Sequence, residues 1–179
     1  MSIRSFLGLG APASAPSSGE TPTVRKIVRE LENMDRDRAH YVAAFAFILS
    51  RVANADRQIS EQETRRMEQI VQRIGHLPEA QAVLVVQIAK AQNQLFGGTD
   101  NFIVTREFKR LASREQRAEL LDCLFAVSAA DDAVSSVEET VIRQIAEELE
   151  FSHRDYISVR SQYADKRSVL RSFRDRQQD

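Results

Sequence analysis

The sequence contains no tryptophan, one cysteine, six glycines and four prolines among 179 residues. A single cysteine excludes an internal disulfide. Because Cys123 lies among apolar residues in ELLDCLFAV, we expect a small buried side chain rather than a reactive thiol. Few glycines and prolines leave long stretches without helix breakers, and Ala, Leu, Ile, Val, Glu, Gln and Arg favour helix. The composition therefore predicts an all-α protein.

An excess of charge of one sign and long hydrophobic runs are also missing. The 25 basic residues nearly balance the 26 acidic ones, whereas a nucleic-acid-binding domain usually gathers a basic excess on one face. The longest apolar run, Tyr41 to Leu49, is shorter than the roughly 18–20 residues of a membrane span. The run from Phe6 to Leu9 is shorter than the roughly 7–15 residues of a secretion signal. We therefore expect a cytoplasmic protein with no nucleic-acid partner and no transmembrane span.

The N-terminal region combines a few apolar side chains with a flexible composition. Residues 10–22, GAPASAPSSGETP, hold three of the four prolines, so we predict a flexible segment over residues 1–22. Four apolar side chains within residues 1–9 offer at most a weak peripheral contact with the inner membrane face. They are Ile3, Phe6, Leu7 and Leu9.

From Thr23 onward, apolar residues recur at helical spacing. We predict a helical domain over residues 23–167, with about eight helices, and a charged, frayed tail over residues 168–179. Residues 101–111, NFIVTREFKRL, are assigned to a helix because no partner strand is available elsewhere. We expect the three histidines to be at or near the surface. They are His40, His76 and His153.

An acidic pattern occurs twice, as ANADRQISEQE at residues 53–63 and SAADDAVSSVE at residues 128–138. We call these stretches the first and second acidic motifs. Subtracting 56 from 131 gives an offset of 75 residues, and at this offset apolar helix positions also superimpose. Two copies are too few for an open solenoid. We therefore predict a single domain of two pseudo-symmetric helical-hairpin halves that face each other, an arrangement able to bring the two acidic motifs together.

Helix capping accounts for part of each acidic motif. Ser60 with Glu63, and Ser135 with Glu138, have the spacing of a capping box. Capping does not require the aspartate that each motif carries four residues before the serine, at a helix end that disfavours an anion. A turn-forming aspartate is one explanation. Another is a hard divalent cation such as calcium, magnesium or manganese, which offsets the repulsion between gathered carboxylates. The candidate metal ligands are Asp56, Glu63, Asp131 and Glu138, with Asp132 as a further carboxylate.

Two familiar kinds of metal site do not fit the spacing. An EF-hand needs ligands at alternate positions, an inner glycine and a glutamate at position twelve of its loop. Counted from Asp56, the first acidic motif has neither that glycine nor that glutamate. A zinc site needs clustered cysteine and histidine, and the chain has one cysteine and three scattered histidines.

The two segments VANADRQISEQETRRMEQI and VSAADDAVSSVEETVIRQI resemble the TerB (tellurite-resistance protein B-like) family, whose domain also occurs fused to J-domain co-chaperones. The resemblance covers about residues 25–165. It implies an all-helical bacterial domain with two pseudo-symmetric halves and an acidic cluster that binds a divalent metal, at Asp56, Glu63, Asp131 and Glu138. Family members often have glycine after the aspartate. Arg57 and Asp132 stand at those positions here, and Arg57 is able to pair with the carboxylates in place of a cation.

Three functional hypotheses follow. The first is a non-enzymatic, stress-response helical module that binds a divalent cation and acts through partner proteins, including a membrane-associated complex. The second is a metal-free interaction scaffold in which the acidic residues only cap helices. The third is an enzyme that uses paired carboxylates, but no nucleophile motif, phosphate loop or histidine dyad accompanies them. We therefore expect no enzymatic activity.

Overall fold

The computed structural model describes residues 2–7, 9, 21–53, 61–91, 101–130 and 134–164. Every regular element within these ranges is an α-helix, which confirms the predicted all-α class. The helices, in chain order, are α1 (Ile3–Phe6), α2 (Pro22–Glu32), α3 (Arg36–Ala53), α4 (Glu61–Arg73), α5 (Glu79–Lys90), α6 (Asn101–Leu111), α7 (Arg114–Ala129), α8 (Ser136–Glu148) and α9 (His153–Gln162). The predicted domain limits stay a prediction, and residues 168–179 lie outside the described ranges.

Helix α3 lies at the centre of the fold. It is apolar on nearly all sides, and every residue from Ala39 to Ser50 is buried. Its many alanines have short side chains, so the backbones of neighbouring helices can approach closely. Helices α1, α2, α5, α6, α7 and α8 all pack against it.

The amphipathic helices surround α3 and begin where the sequence supplies a cap. Thr21 caps α2 by accepting a hydrogen bond from the backbone of Val24 at 3.3 Å, with Pro22 in the first turn. Ser113 and Ser152 open α7 and α9, each within a capping box. The starts of α7 and α9 follow from residues only three apart in the sequence, whereas α2 begins at Pro22, inside the segment predicted to be flexible.

Gly75 follows α4 at a point of close approach to α3 and α7. A Cβ atom at this position would lie 2.6 Å from the carbonyl oxygen of Val71, 3.1 Å from Cζ of Phe45 and 3.3 Å from Sγ of Cys123. Any larger residue would collide with the backbone at the first of these contacts. Glycine is therefore required here by space, and it also ends the helix.

The N-terminal residues pack more closely than their composition predicts. Within the segment predicted to be flexible, α1 packs against α2 and α3, and Phe6 and Leu7 are buried. The proline-rich composition of residues 10–22 does not extend to the residues before them, and two large apolar side chains there are enough to hold a short helix against the core. Two of the four side chains considered for membrane contact are therefore buried in the protein.

Candidate functional site

The structure describes two of the four predicted metal ligands. Glu63 and Glu138 lie in the first turns of α4 and α8, and both are half-buried. Asp56 and Asp131 lie outside the described residues, as do Arg57, Ser60 and Asp132. The described part of the candidate site therefore consists of the helices that flank the two acidic motifs.

Glu138 takes part in the predicted capping box of α8. Its Oε2 atom accepts a hydrogen bond from the backbone nitrogen of Ser135 at 2.8 Å, and the Ser135 hydroxyl accepts one from the backbone nitrogen of Glu138 at 3.2 Å. A carboxylate has two oxygens and about four acceptor positions. Capping therefore does not prevent the same side chain from binding a cation.

A hydrogen bond between α4 and the end of α7 joins described residues beside the two acidic motifs. Nη1 of Arg66 donates to the carbonyl oxygen of Ala130 at 3.0 Å. Glu63 precedes Arg66 by three residues, so their Cβ atoms are about 5–6 Å apart on one face of α4. Ala130 lies in the second acidic motif, directly before Asp131. Glu63 of the first motif thus lies about one helical turn from Arg66, which contacts Ala130 of the second motif.

A second polar contact joins α8, the helix that follows the second acidic motif, to α3. Arg51 forms a bidentate ion pair with Glu148, with distances of 2.6 Å from Nη1 to Oε2 and 3.0 Å from Nη2 to Oε1. The Thr105 hydroxyl of α6 lies 2.8 Å from the same Oε2, and Gln144 donates to Oε1 at 3.1 Å. In this way α8 packs on α3 while α4 packs on α7. Each helix that follows an acidic motif contacts the apolar helix of the other half, although the pseudo-symmetry itself stays a prediction.

The environment of Glu148 favours its charged form. Burial alone would raise the pKa of this carboxyl, but hydrogen bonds from Arg51 and Thr105 and the charge of Arg51 outweigh burial and lower it. Sequence reasoning did not identify this pair. The available signal was Arg51 itself, a charged residue near the end of an otherwise buried helix, because a buried arginine nearly always has an acidic partner.

The histidines and the cysteine do not form a metal site in the part of the chain that is described. Across those ranges, no group of three or more His, Cys, Asp or Glu side chains is arranged to hold a metal ion. His76 and His153 are exposed, as expected. The expectation is wrong for His40, which is 3% exposed because Phe6 stacks on its ring at 5.1 Å. Cys123 is fully buried, which confirms the prediction of a small buried side chain.

Comparison with known families gives a match that spans most of the described helices and both acidic motifs. A family model described as tellurite resistance protein TerB matches residues 41–161. The chain belongs to the TerB family. No curated protein and no solved structure matched the chain in the corresponding searches.

The TerB match extends from the first turns of α3 to the last residues of α9. It therefore includes both acidic motifs and both described glutamates. Helices α1 and α2 precede the matched range, so the buried Phe6 lies outside the part of this TerB protein that the family model describes. Among the described residues, no helix is both long and apolar enough to cross a lipid bilayer.

Proposed function

We propose that this TerB protein is a non-enzymatic helical module of the tellurite-resistance and stress-response type that binds a divalent cation and acts through partner proteins. The proposed ligands are carboxylates from both halves: Asp56, Glu63, Asp131 and Glu138. The location that we propose is the cytoplasm, peripheral to the inner membrane face.

The observation that carries the proposal is the hydrogen bond from Arg66 to Ala130. It joins α4, which begins within the first acidic motif, to the end of α7, which lies within the second. This contact supports the proposal that ligands from both motifs bind one cation. Gathered carboxylates repel one another at neutral pH, and a cation offsets that repulsion. Because carboxylate oxygens are hard ligands, calcium, magnesium and manganese are the cations of choice.

The test is thermal unfolding of the full chain with each cation and with a chelator. At a cation concentration 100 times Kd, we expect a stabilisation of about 2.7 kcal/mol, which raises Tm by roughly 5–10 °C for a domain of this size. The double variant Asp56→Asn/Asp131→Asn should lose the shift. The control Glu30→Gln/Glu147→Gln removes the same charge from two exposed positions and should keep it.

The metal-free scaffold remains the second candidate because the structure shows Glu138 already engaged in capping. In that case Asp56→Asn/Asp131→Asn would change Tm by the same amount in chelator and in cation. No cation would then shift the wild-type transition. That pair of results would reject the metal site and leave the interaction module.

A further inference from the structure

An open cleft lies between α1, the start of α3 and α6, away from the acidic motifs. It has a volume of about 430 Å³ and is lined by Phe6, Arg36, Asp37, His40, Ile103, Arg106, Glu107 and Arg110. Its distance from the first motif is set by α3, because His40 and Ala53 are about 20 Å apart along the helix axis. We call it the α3–α6 cleft.

The arginines of the α3–α6 cleft differ in whether a carboxylate lies close enough to balance their positive charge. Arg110 contacts two carboxylates, Oε1 of Glu107 at 3.0 Å and Oδ1 of Asp37 at 3.5 Å. Arg36 and Arg106 have no carboxylate within ion-pair distance among the described residues, and Arg106 instead lies 5.8 Å over the Phe102 ring. Two cationic side chains are thus available to an anionic ligand.

Large apolar side chains are exposed beside these cations. Phe102 is 59% exposed and Ile103 is 41% exposed, at the start of α6. Because Arg106 follows them by four and three residues, all three lie on neighbouring positions of one helix face. The surface therefore offers apolar contact and positive charge side by side.

A buried imidazole in the wall of the cleft lacks one hydrogen-bond partner. Nδ1 of His40 lies 3.3 Å from Oε1 of Glu107, while its Nε2 is buried and has no partner among the described residues. If Nδ1 carries the proton donated to Glu107, Nε2 is an acceptor that needs a donor. Because this nitrogen is buried, His40 contributes a polar part of the cleft wall and not a contact surface for a ligand.

From these features we propose that the α3–α6 cleft binds an acidic segment of a partner protein that carries an apolar side chain among its carboxylates. The carboxylates pair with Arg36 and Arg106, and the apolar side chain packs on Phe102 and Ile103. The concave shape favours a peptide over the flat surface of an anionic membrane. This inference deepens the proposed action through partner proteins and names the surface and the chemistry of the partner.

The test uses the full chain and a fluorescent, glutamate-rich peptide with a central Leu-Phe pair. Reversing the charge of both arginines in Arg36→Glu/Arg106→Glu should weaken binding at least about tenfold. The control Arg143→Glu/Arg154→Glu reverses two exposed arginines at comparable helix positions, mid-helix and first turn, and should bind as wild type. Phe102→Ala should also weaken binding, whereas Val137→Ala, which removes a comparably exposed apolar side chain, should not.

Several results would overturn the proposal. They are equal binding by both charge-reversal variants, equal binding of a lysine-rich counterpart peptide, no binding of the acidic peptide at millimolar concentration, and capture of anionic phosphatidylserine vesicles instead. Because the cleft is remote from the acidic motifs, peptide affinity should be the same in chelator and in cation. A missing cation shift in Tm would therefore count against the metal site, and only the peptide results would count against the cleft.

Discussion

Arg51 and Glu148 form a bidentate ion pair although they are 97 positions apart in the sequence. The arginine side chain is 7% exposed and the glutamate side chain is 15% exposed. The pair fastens the end of α3, directly before the first acidic motif, to the last turn of α8. Thr105 adds a contact from α6 at 2.8 Å. One carboxylate thus connects three helices.

Removing either partner of this pair should destabilise the fold strongly. Arg51→Met or Glu148→Leu leaves the other charge buried without its partner, which costs about 3–5 kcal/mol. The double variant should cost clearly less than the sum, because it leaves no unpaired charge. Urea unfolding of the four proteins in a double-mutant cycle measures this.

The matched control is the ion pair of Lys109 and Glu150, which has a distance of 2.8 Å but is more exposed, at 30% for the lysine and 68% for the glutamate side chain. Its coupling energy should be no more than about 1 kcal/mol. Similar coupling energies for the two pairs would contradict the role assigned to Arg51 and Glu148.

Acid should unfold the protein partly through Glu148. Its pKa in the folded state is below the ordinary value of 4.5, so the unfolded chain takes up the proton first. The stability that this carboxylate contributes is present above about pH 4.5 and is lost as the pH falls through the lower, folded-state pKa. Glu148→Gln should lower stability at pH 7 and flatten its decline in acid.

The free energy of unfolding, measured from pH 7 to pH 3, checks this expectation. Glu147→Gln, at the neighbouring exposed position, should keep the wild-type pH slope. If Glu148→Gln declines as steeply as wild type, other carboxylates dominate acid unfolding. Glu107 is the next candidate, because a hydrogen bond from Arg110 lowers its pKa.

Comparing the capping boxes of α8 and α9 distinguishes a structural role from a cation-binding role, because only the box of α8 contains a proposed cation ligand. Ser135→Ala and Ser152→Ala each remove a cap and should cost about 0.5–2 kcal/mol. Glu138→Ala and Asp155→Ala remove the reciprocal bond. Only Glu138→Ala should also weaken the cation-dependent rise in Tm, because only Glu138 lies in an acidic motif. An equal loss of the cation response in Asp155→Ala would argue against Glu138 as a ligand.

Cys123 should remain unreactive in the folded protein. Burial raises the pKa of its thiol, and the nearby acidic groups Asp122 and Glu119 raise it further, so little thiolate is present at neutral pH. Reaction with a thiol reagent should follow the rate of unfolding. Ser136→Cys, which adds a thiol at an exposed position, supplies a fast-reacting control in the same chain. Rapid labelling of wild type would show that the core opens locally around α7.

Local features of this fold were predictable from sequence, and distant contacts were not. The caps at Ser113, Ser135 and Ser152 depend on neighbours three residues away, so their spacing reveals them. The burial of His40 depends on Phe6 from one side and Glu107, 67 positions away, from the other. No local pattern contains that information.

In the candidate site, too, features set by nearby residues were predictable and contacts between distant residues were not. The repeat identified the acidic residues, and the capping role of Glu138 followed from its spacing to Ser135. The contact between Arg66 and Ala130 joins positions 64 residues apart. Its existence depends on how α4 and α7 pack, which the hydrophobic pattern of either helix leaves open.

The burial of α3 also determines how the backbone meets solvent. Six of the described helices pack against it, and its residues from Ala39 to Ser50 are all buried. Amide hydrogens in such a helix exchange with deuterium only when the whole domain opens. The exchange rates of α3 in heavy water therefore report the global free energy of unfolding, residue by residue, under native conditions and without denaturant.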